Sequence, residues 1–173
     1  MTTALVVVMG VSGSGKSAVG DGIAASLGLR FVDADALHPP ENVAKMASGR
    51  PLDDDDRMPW LAIVGATLAE AADRGEGLVM ACSALRRRYR DVLRASAPTT
   101  VFVHLDGSRD LLESRLRTRA GHFMPVGLLD SQLDTLEPLA DDEAGVVVDI
   151  APPLIEVVAA SVRGLAPVEQ RET

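Results

Sequence analysis

Aromatic side chains are scarce: one Trp, one Tyr and three Phe make up 3% of the 173 residues. Single-stranded nucleic acid is usually held by base-on-ring stacking over a basic groove, and this chain has few rings to offer. A basic excess is missing as well. The formal net charge of −8 argues against a general affinity for nucleic acid or for anionic membranes. Cys82 is the single cysteine, so no internal disulfide can form, which suits a reducing compartment. No apolar run approaches the roughly 20 residues of a membrane-spanning helix. No basic stretch leads into an apolar one at the start, as it would in a secretory leader. The expected setting is therefore cytoplasmic. Repeats, low-complexity tracts and long linkers are also lacking. At 173 residues, one domain with a sizeable core is expected.

What is present centres on Gly10-Val11-Ser12-Gly13-Ser14-Gly15-Lys16-Ser17. This run satisfies G-x-x-x-x-G-K-[ST], the phosphate-binding P-loop. Ala4 to Met9 before it is a continuous apolar segment, the pattern of a buried parallel strand. Val19, Ile23 and Leu27 after it recur at helical spacing. Gly10, Gly13 and Gly15, with Ser12 and Ser14 between them, let the backbone wrap a phosphate with its N–H groups inward. The helix N-terminus adds partial positive charge, Lys16 a full one, and the Ser17 hydroxyl can ligate Mg²⁺. The loop predicts binding of a nucleoside triphosphate.

Strand and helix alternate along the rest. Strands are expected at Leu29 to Asp33, Gly77 to Ala81, Thr99 to Leu105 and Gly145 to Ile150. Helices are expected at Pro39 to Ser48, around Pro59 to Asp73, Arg86 to Ala95, Ser108 to Arg119, Leu128 to Leu136 and Pro153 to Gly164. Gly121 to Gly127 reads as a mobile loop. The pattern implies one domain over residues 1–165 with a lid near 119–138, and a flexible tail over 166–173. Alternation of this kind means a parallel sheet covered by helices on both faces, with ligands beyond the C-terminal strand ends.

That rule selects the site candidates. Asp33 and Asp35 follow the second strand and point the same way if the extended conformation continues. One can hold Mg²⁺ while the other accepts a proton from an attacking hydroxyl; alternatively they are loop or capping residues. His38 either binds substrate or caps the loop. In Asp53 to Pro59 the acidic residues suit a helix start, and Arg57 is placed to grip a substrate carboxylate. Trp60 reads as core. Cys82 has no activating neighbour, and Ser83 either meets a ligand or caps the next helix. Arg115, Arg117 and Arg119 lead into a His-bearing glycine loop able to close over phosphates. His104 reads as structural, and Asp149 to Pro153 as an edge of the adenine pocket.

Taken together, these residues resemble the gluconate kinases of the thermoresistant type, relatives of shikimate kinase. The matching runs are Met9 to Ser17, Asp35 with Leu37-His38-Pro39 and Asn42, and Lys45-Met46. Gly49, Pro51-Leu52, Asp54 to Arg57 and Pro59-Trp60-Leu61 follow. Cys82 to Leu85, Tyr89-Arg90-Asp91 and Arg119 with Gly121-His122-Phe123 complete the set. The resemblance implies a three-layer α/β P-loop kinase fold with a five-stranded parallel sheet and a mobile lid. It implies transfer of the ATP γ-phosphate to D-gluconate by a Mg²⁺-dependent homodimer that needs no nucleic acid or membrane. Asp35 matches the hydroxyl-activating carboxylate, with Lys16 and Arg119 as its catalytic companions, and Asp33 matches the metal side with Ser17. Arg115 falls with the nucleotide, and His38, Arg57, Ser83, Arg90 and His122 with the sugar acid. The family usually has lysine where this chain has Arg86. The rivals are a kinase for another small acceptor, a binding module without turnover, and an RNA-binding role through the arginine cluster of Arg86 to Arg94.

Overall fold

The computed structural model describes residues 4–119 and 126–169. Its centre is β1 (Leu5–Met9), which is buried along its whole length. A continuous apolar strand demands this, because alternate side chains face opposite sides and both sides must be covered. The chain then runs through α1 (Lys16–Leu27), β2 (Arg30–Asp33), a 3₁₀ turn (Ala34–Leu37), α2 (Pro40–Ala47) and α3 (Asp54–Asp73). Next come β3 (Leu78–Ala81), α4 (Arg87–Ser96), β4 (Val101–Asp106) and α5 (Arg109–Thr118). The chain closes with α6 (Val126–Thr135), β5 (Gly145–Asp149) and α7 (Leu154–Glu169).

The five strands form one parallel sheet in the order β2-β3-β1-β4-β5. Leu5, Val7 and Met9 pack with Trp60, Leu61, Val64 and Leu68 of α3 and with Tyr89 and Leu93 of α4. Val6 and Val8 pack on the opposite side with Val19 and Ile23 of α1 and Val157 of α7. The three-layer expectation holds. Two cores clamp one sheet, and all strands present their C-terminal ends at the same edge.

Three boundaries depart from the expected ones. Helix α3 starts at Asp54 rather than near Pro59, because Asp53 and Asp56 form a reciprocal capping box. The acidic run is therefore the helix's own first turn, and Pro59 lies inside the helix. Helix α6 begins at Val126, within the stretch read as loop. Helix α7 continues through Glu169, past the expected tail start at Ala166, even though Pro167 within it has no N–H to donate to the preceding turn. Among the described residues, no helix is long and apolar enough to cross a membrane.

Candidate active site

The P-loop leaves β1 and enters α1 through Gly13 (φ 83°) and Gly15 (φ 88°), both left-handed conformations that a side chain would strain. Gly15 caps α1 without a side-chain hydrogen bond, so the helix's first N–H groups stay open to a ligand. Ser14 does not face the ligand with its hydroxyl: it is buried, and Oγ donates to the Val11 carbonyl at 2.7 Å. Lys16 Nζ donates to the same carbonyl at 3.1 Å. Burial lowers the Lys16 pKa, with Asp35 and Asp33 opposing that shift. A desolvated ammonium beside open N–H groups is a socket for an anion.

Ser17 and Asp33 meet beside the P-loop. Ser17 Oγ donates to Asp33 Oδ2 at 2.7 Å, joining the start of α1 to the end of β2. Asp33 Oδ1 accepts the Asp35 N–H at 3.0 Å and so caps the 3₁₀ turn. The extended conformation therefore stops at Asp33, and the expected alternation does not carry through to Asp35. The two carboxylates are divided instead by the turn: Asp33 is tied to Ser17, and the Asp35 side chain is 84% exposed over the site. A hydroxyl and one carboxylate beside a phosphate loop suit Mg²⁺, which keeps several waters and phosphate oxygens as further ligands. A cage of three or more His, Cys, Asp or Glu side chains is not found among the described residues.

His38 is built in from several sides. Its ring stacks on Trp60 with centroids 4.2 Å apart, and Trp60 Nε1 donates to the Ala34 carbonyl at 2.8 Å. Asn42 Nδ2 donates to the Asp56 carbonyl at 3.0 Å and also lies 3.2 Å from His38 Nδ1. With Nδ1 as acceptor, the proton sits on Nε2, which lies 4.0 Å from Asp35 Oδ1. Burial lowers the His38 pKa, with Asp35 opposing and Arg57 assisting, so the ring is neutral at pH 7. Arg57 Nη1 donates to the Tyr89 hydroxyl at 3.2 Å, and that hydroxyl donates to Asp54. Asn42 and Tyr89 thus hold His38 and Arg57 in place. Sequence reasoning quoted both as matching residues without giving them that task.

At the end of β3, Cys82 is fully buried, and burial pushes its thiol up to about 12. It stays protonated and is no nucleophile. Ser83 turns its carbonyl to the Gly10 N–H at 3.3 Å. It does not cap α4; Arg86 is the N-cap residue, and Glu137 accepts the Arg87 N–H instead. Ala84 adopts φ 44°, a strained value for a residue with a Cβ.

Arg90 holds that strain in place, and its expected role as a substrate ligand is corrected here. Its side chain is fully buried, with Nε and Nη2 on the two Glu143 oxygens at 2.8 and 2.9 Å. Nη1 donates to the carbonyls of Ala84 and Leu85, and Nη2 also to that of Pro138. No donor remains for a sugar acid. Its neighbours Arg87 and Arg88 pair with Asp142 and Asp54, so the cluster is not an open basic patch.

Near the end of α5, Arg115 Nη2 donates to the Ile150 carbonyl at 2.6 Å, bringing α5 against the end of β5 where the adenine edge was expected. Arg119 is the C-cap of α5 and lowers the Lys16 pKa by proximity. His122 lies outside the described residues. On α6, Gln132 Oε1 accepts the Ser12 N–H of the P-loop at 2.7 Å. Sequence reasoning missed Gln132, because its partner is far away in the chain.

A parallel sheet with a phosphate loop after β1, a serine–aspartate pair beside it and an exposed carboxylate across from Lys16 defines a P-loop kinase. Residues 5–139 match a family profile described as an AAA domain. The gluconokinase of Gluconobacter oxydans is 54% identical over 137 residues, covering 79% of this chain and 77% of that one. The thermoresistant gluconokinase of Escherichia coli is 49% identical over 158 residues, covering 90% of each. A crystal structure of a gluconokinase from Sinorhizobium meliloti superposes with a TM-score of 0.90 at 51% identity, over 98% of this chain and 95% of that one. The chain belongs to the gluconokinase family.

Proposed function

We infer that the chain transfers the γ-phosphoryl group of ATP to D-gluconate, giving 6-phospho-D-gluconate and ADP. Membership of the gluconokinase family carries the choice of acceptor; the strand-end geometry supports the division of labour. The P-loop N–H groups and Lys16 hold the phosphates, with Arg115 at the nucleotide's base and Arg119 at its phosphate end. Ser17 and Asp33 would hold Mg²⁺, which when bound supplies positive charge to the phosphate oxygens. Asp35 orients the gluconate hydroxyl and takes its proton as the O–P bond forms and the bond to ADP breaks. His38 Nε2–H donates to an acceptor hydroxyl, Ser83 lines the same side, and Arg57 receives the carboxylate. His122 is assigned to the lid on the family resemblance. The reading takes the working species as a cytoplasmic homodimer using Mg²⁺ and ATP.

Other small acceptors are separated by assay. ADP release, coupled to a reporter reaction, is measured with gluconate, other sugar acids, shikimate and nucleoside monophosphates. Gluconate-dependent release is expected to exceed the others. Its absence at millimolar gluconate overturns the reading. Sedimentation of the purified chain tests the dimer separately.

A further inference from the structure

Gln132 has no role in the division of labour above, yet its side chain lies on the P-loop. Its partner is a backbone N–H, which can only donate, so the carboxamide oxygen must face Ser12. That constraint fixes which end of the amide is oxygen. Nε2 then projects from the other side of the planar group, roughly 2.3 Å from Oε1 by amide geometry. It carries two N–H donors. Among the described residues, none of its hydrogen bonds uses them, although the side chain is half-buried.

Nε2 is not among the buried polar atoms left without a partner, so its two donors are open at the rim of a phosphate loop, where an acceptor-rich ligand can take them. The nearest chemistry of that kind is the nucleotide's own phosphate chain, bound by the loop that Gln132 touches. Lys16 is drawn back to the Val11 carbonyl on the same loop, and α6 adds the Gln132 carboxamide at Ser12.

We propose that Gln132 is a nucleotide-phosphate-binding residue. Its oxygen seats α6 on the P-loop through Ser12, and its Nε2–H donates to a β- or γ-phosphate oxygen of ATP. The proposal rests on the kinase reading of that loop and adds to it a neutral donor outside the loop itself. The competing account is a simple tether, in which only the oxygen matters.

Gln132→Glu separates the two in the full-length protein. A glutamate of the same length still accepts the Ser12 N–H, so a tether survives. It loses both donors and sets a negative charge against the phosphates. ATP affinity is measured by equilibrium titration without gluconate, alongside the Michaelis constants of both substrates and the melting temperature. ATP affinity is expected to fall about 10- to 100-fold, the usual size for a hydrogen bond to a charged group. The gluconate KM should move less than about threefold and the melting temperature should hold. Gln132→Met, which lacks both ends, should weaken ATP by about tenfold. Comparing ATP with ADP then tells a γ-oxygen from a β-oxygen. ATP affinity within about twofold of wild type in Gln132→Glu, or equal weakening of both substrates, overturns the proposal. Because the titration needs no turnover, its result is independent of which acceptor the wild-type protein phosphorylates.

Discussion

Asp35 and His38 lie 4.0 Å apart, and their surroundings prepare them for opposite tasks. Asp35 sits on the open side of a 3₁₀ turn, free to face a hydroxyl. His38 is packed between Trp60 and Asn42, which keep its ring neutral and its Nε2 protonated, a donor. Asp35→Asn keeps the shape of the turn and removes the proton acceptor. It should leave ATP affinity within about twofold and lower turnover about 10²- to 10⁴-fold, the range of a general base. Nucleotide titration and steady-state kinetics on the same preparation check this, and near-normal turnover would remove Asp35 from the role. The pairing of two aspartates at the end of β2 was legible in the sequence. The manner of their division was not, because it depends on where extended backbone gives way to a turn.

At the scale of elements, α4 is the brace on which the site's second wall rests. Arg90 and Glu143 form a buried ion pair that also satisfies the carbonyls of Ala84, Leu85 and Pro138 and the Ala140 N–H. Arg94 Nη1 adds an ion pair to Glu143 at 2.9 Å, at an angle outside hydrogen-bond geometry. This locks the end of β3 to the segment that joins α6 to β5. Burial pushes the Glu143 carboxyl up, but the Arg90, Ala140 and Arg94 contacts outweigh it and bring the pKa down to about 2, against 4.5 unperturbed. A depressed folded pKa means stability that is complete above the unfolded value and lost as pH falls through the folded one. Stability should therefore drain away between about pH 4.5 and 2. Glu143→Gln should flatten that acid limb. At pH 7 it should cost about 3–5 kcal/mol, because Arg90 is left charged and unpaired in the core. Urea melts at neutral and acid pH measure both effects.

At the scale of the molecule, the parallel sheet brings residues from five strand ends to one edge, so ligands bind where several elements meet. A ligand spanning them ties those elements together and stabilises the whole fold by mass action. ATP at about 100 times its dissociation constant should add about 2.7 kcal/mol, and each kcal/mol raises the melting temperature of a domain this size by about 2–4 °C. Thermal melts should thus rise by roughly 5–11 °C with Mg²⁺-ATP and further when gluconate is added. A gluconate effect without nucleotide that matches the combined one would mean that the two sites do not build on each other.

By itself the sequence determined the features that are written locally. Apolar runs bounded by glycine specify buried strands, helical periodicity specifies the covering layers, and the P-loop joins one to the other within a few residues. The Asp35, His38 and Arg57 positions also follow from short runs at strand and helix ends. Tertiary structure decided what local spacing cannot express. Arg86, Arg87, Arg88 and Arg90 read alike as a basic cluster, yet Arg90 is consumed by Glu143, 53 residues on, and Arg87 and Arg88 by separate carboxylates. Gln132 gains its place only through a hydrogen bond spanning 120 residues. Burial and pairing across such distances are products of packing, because a side chain's partner is set by the fold that brings it near.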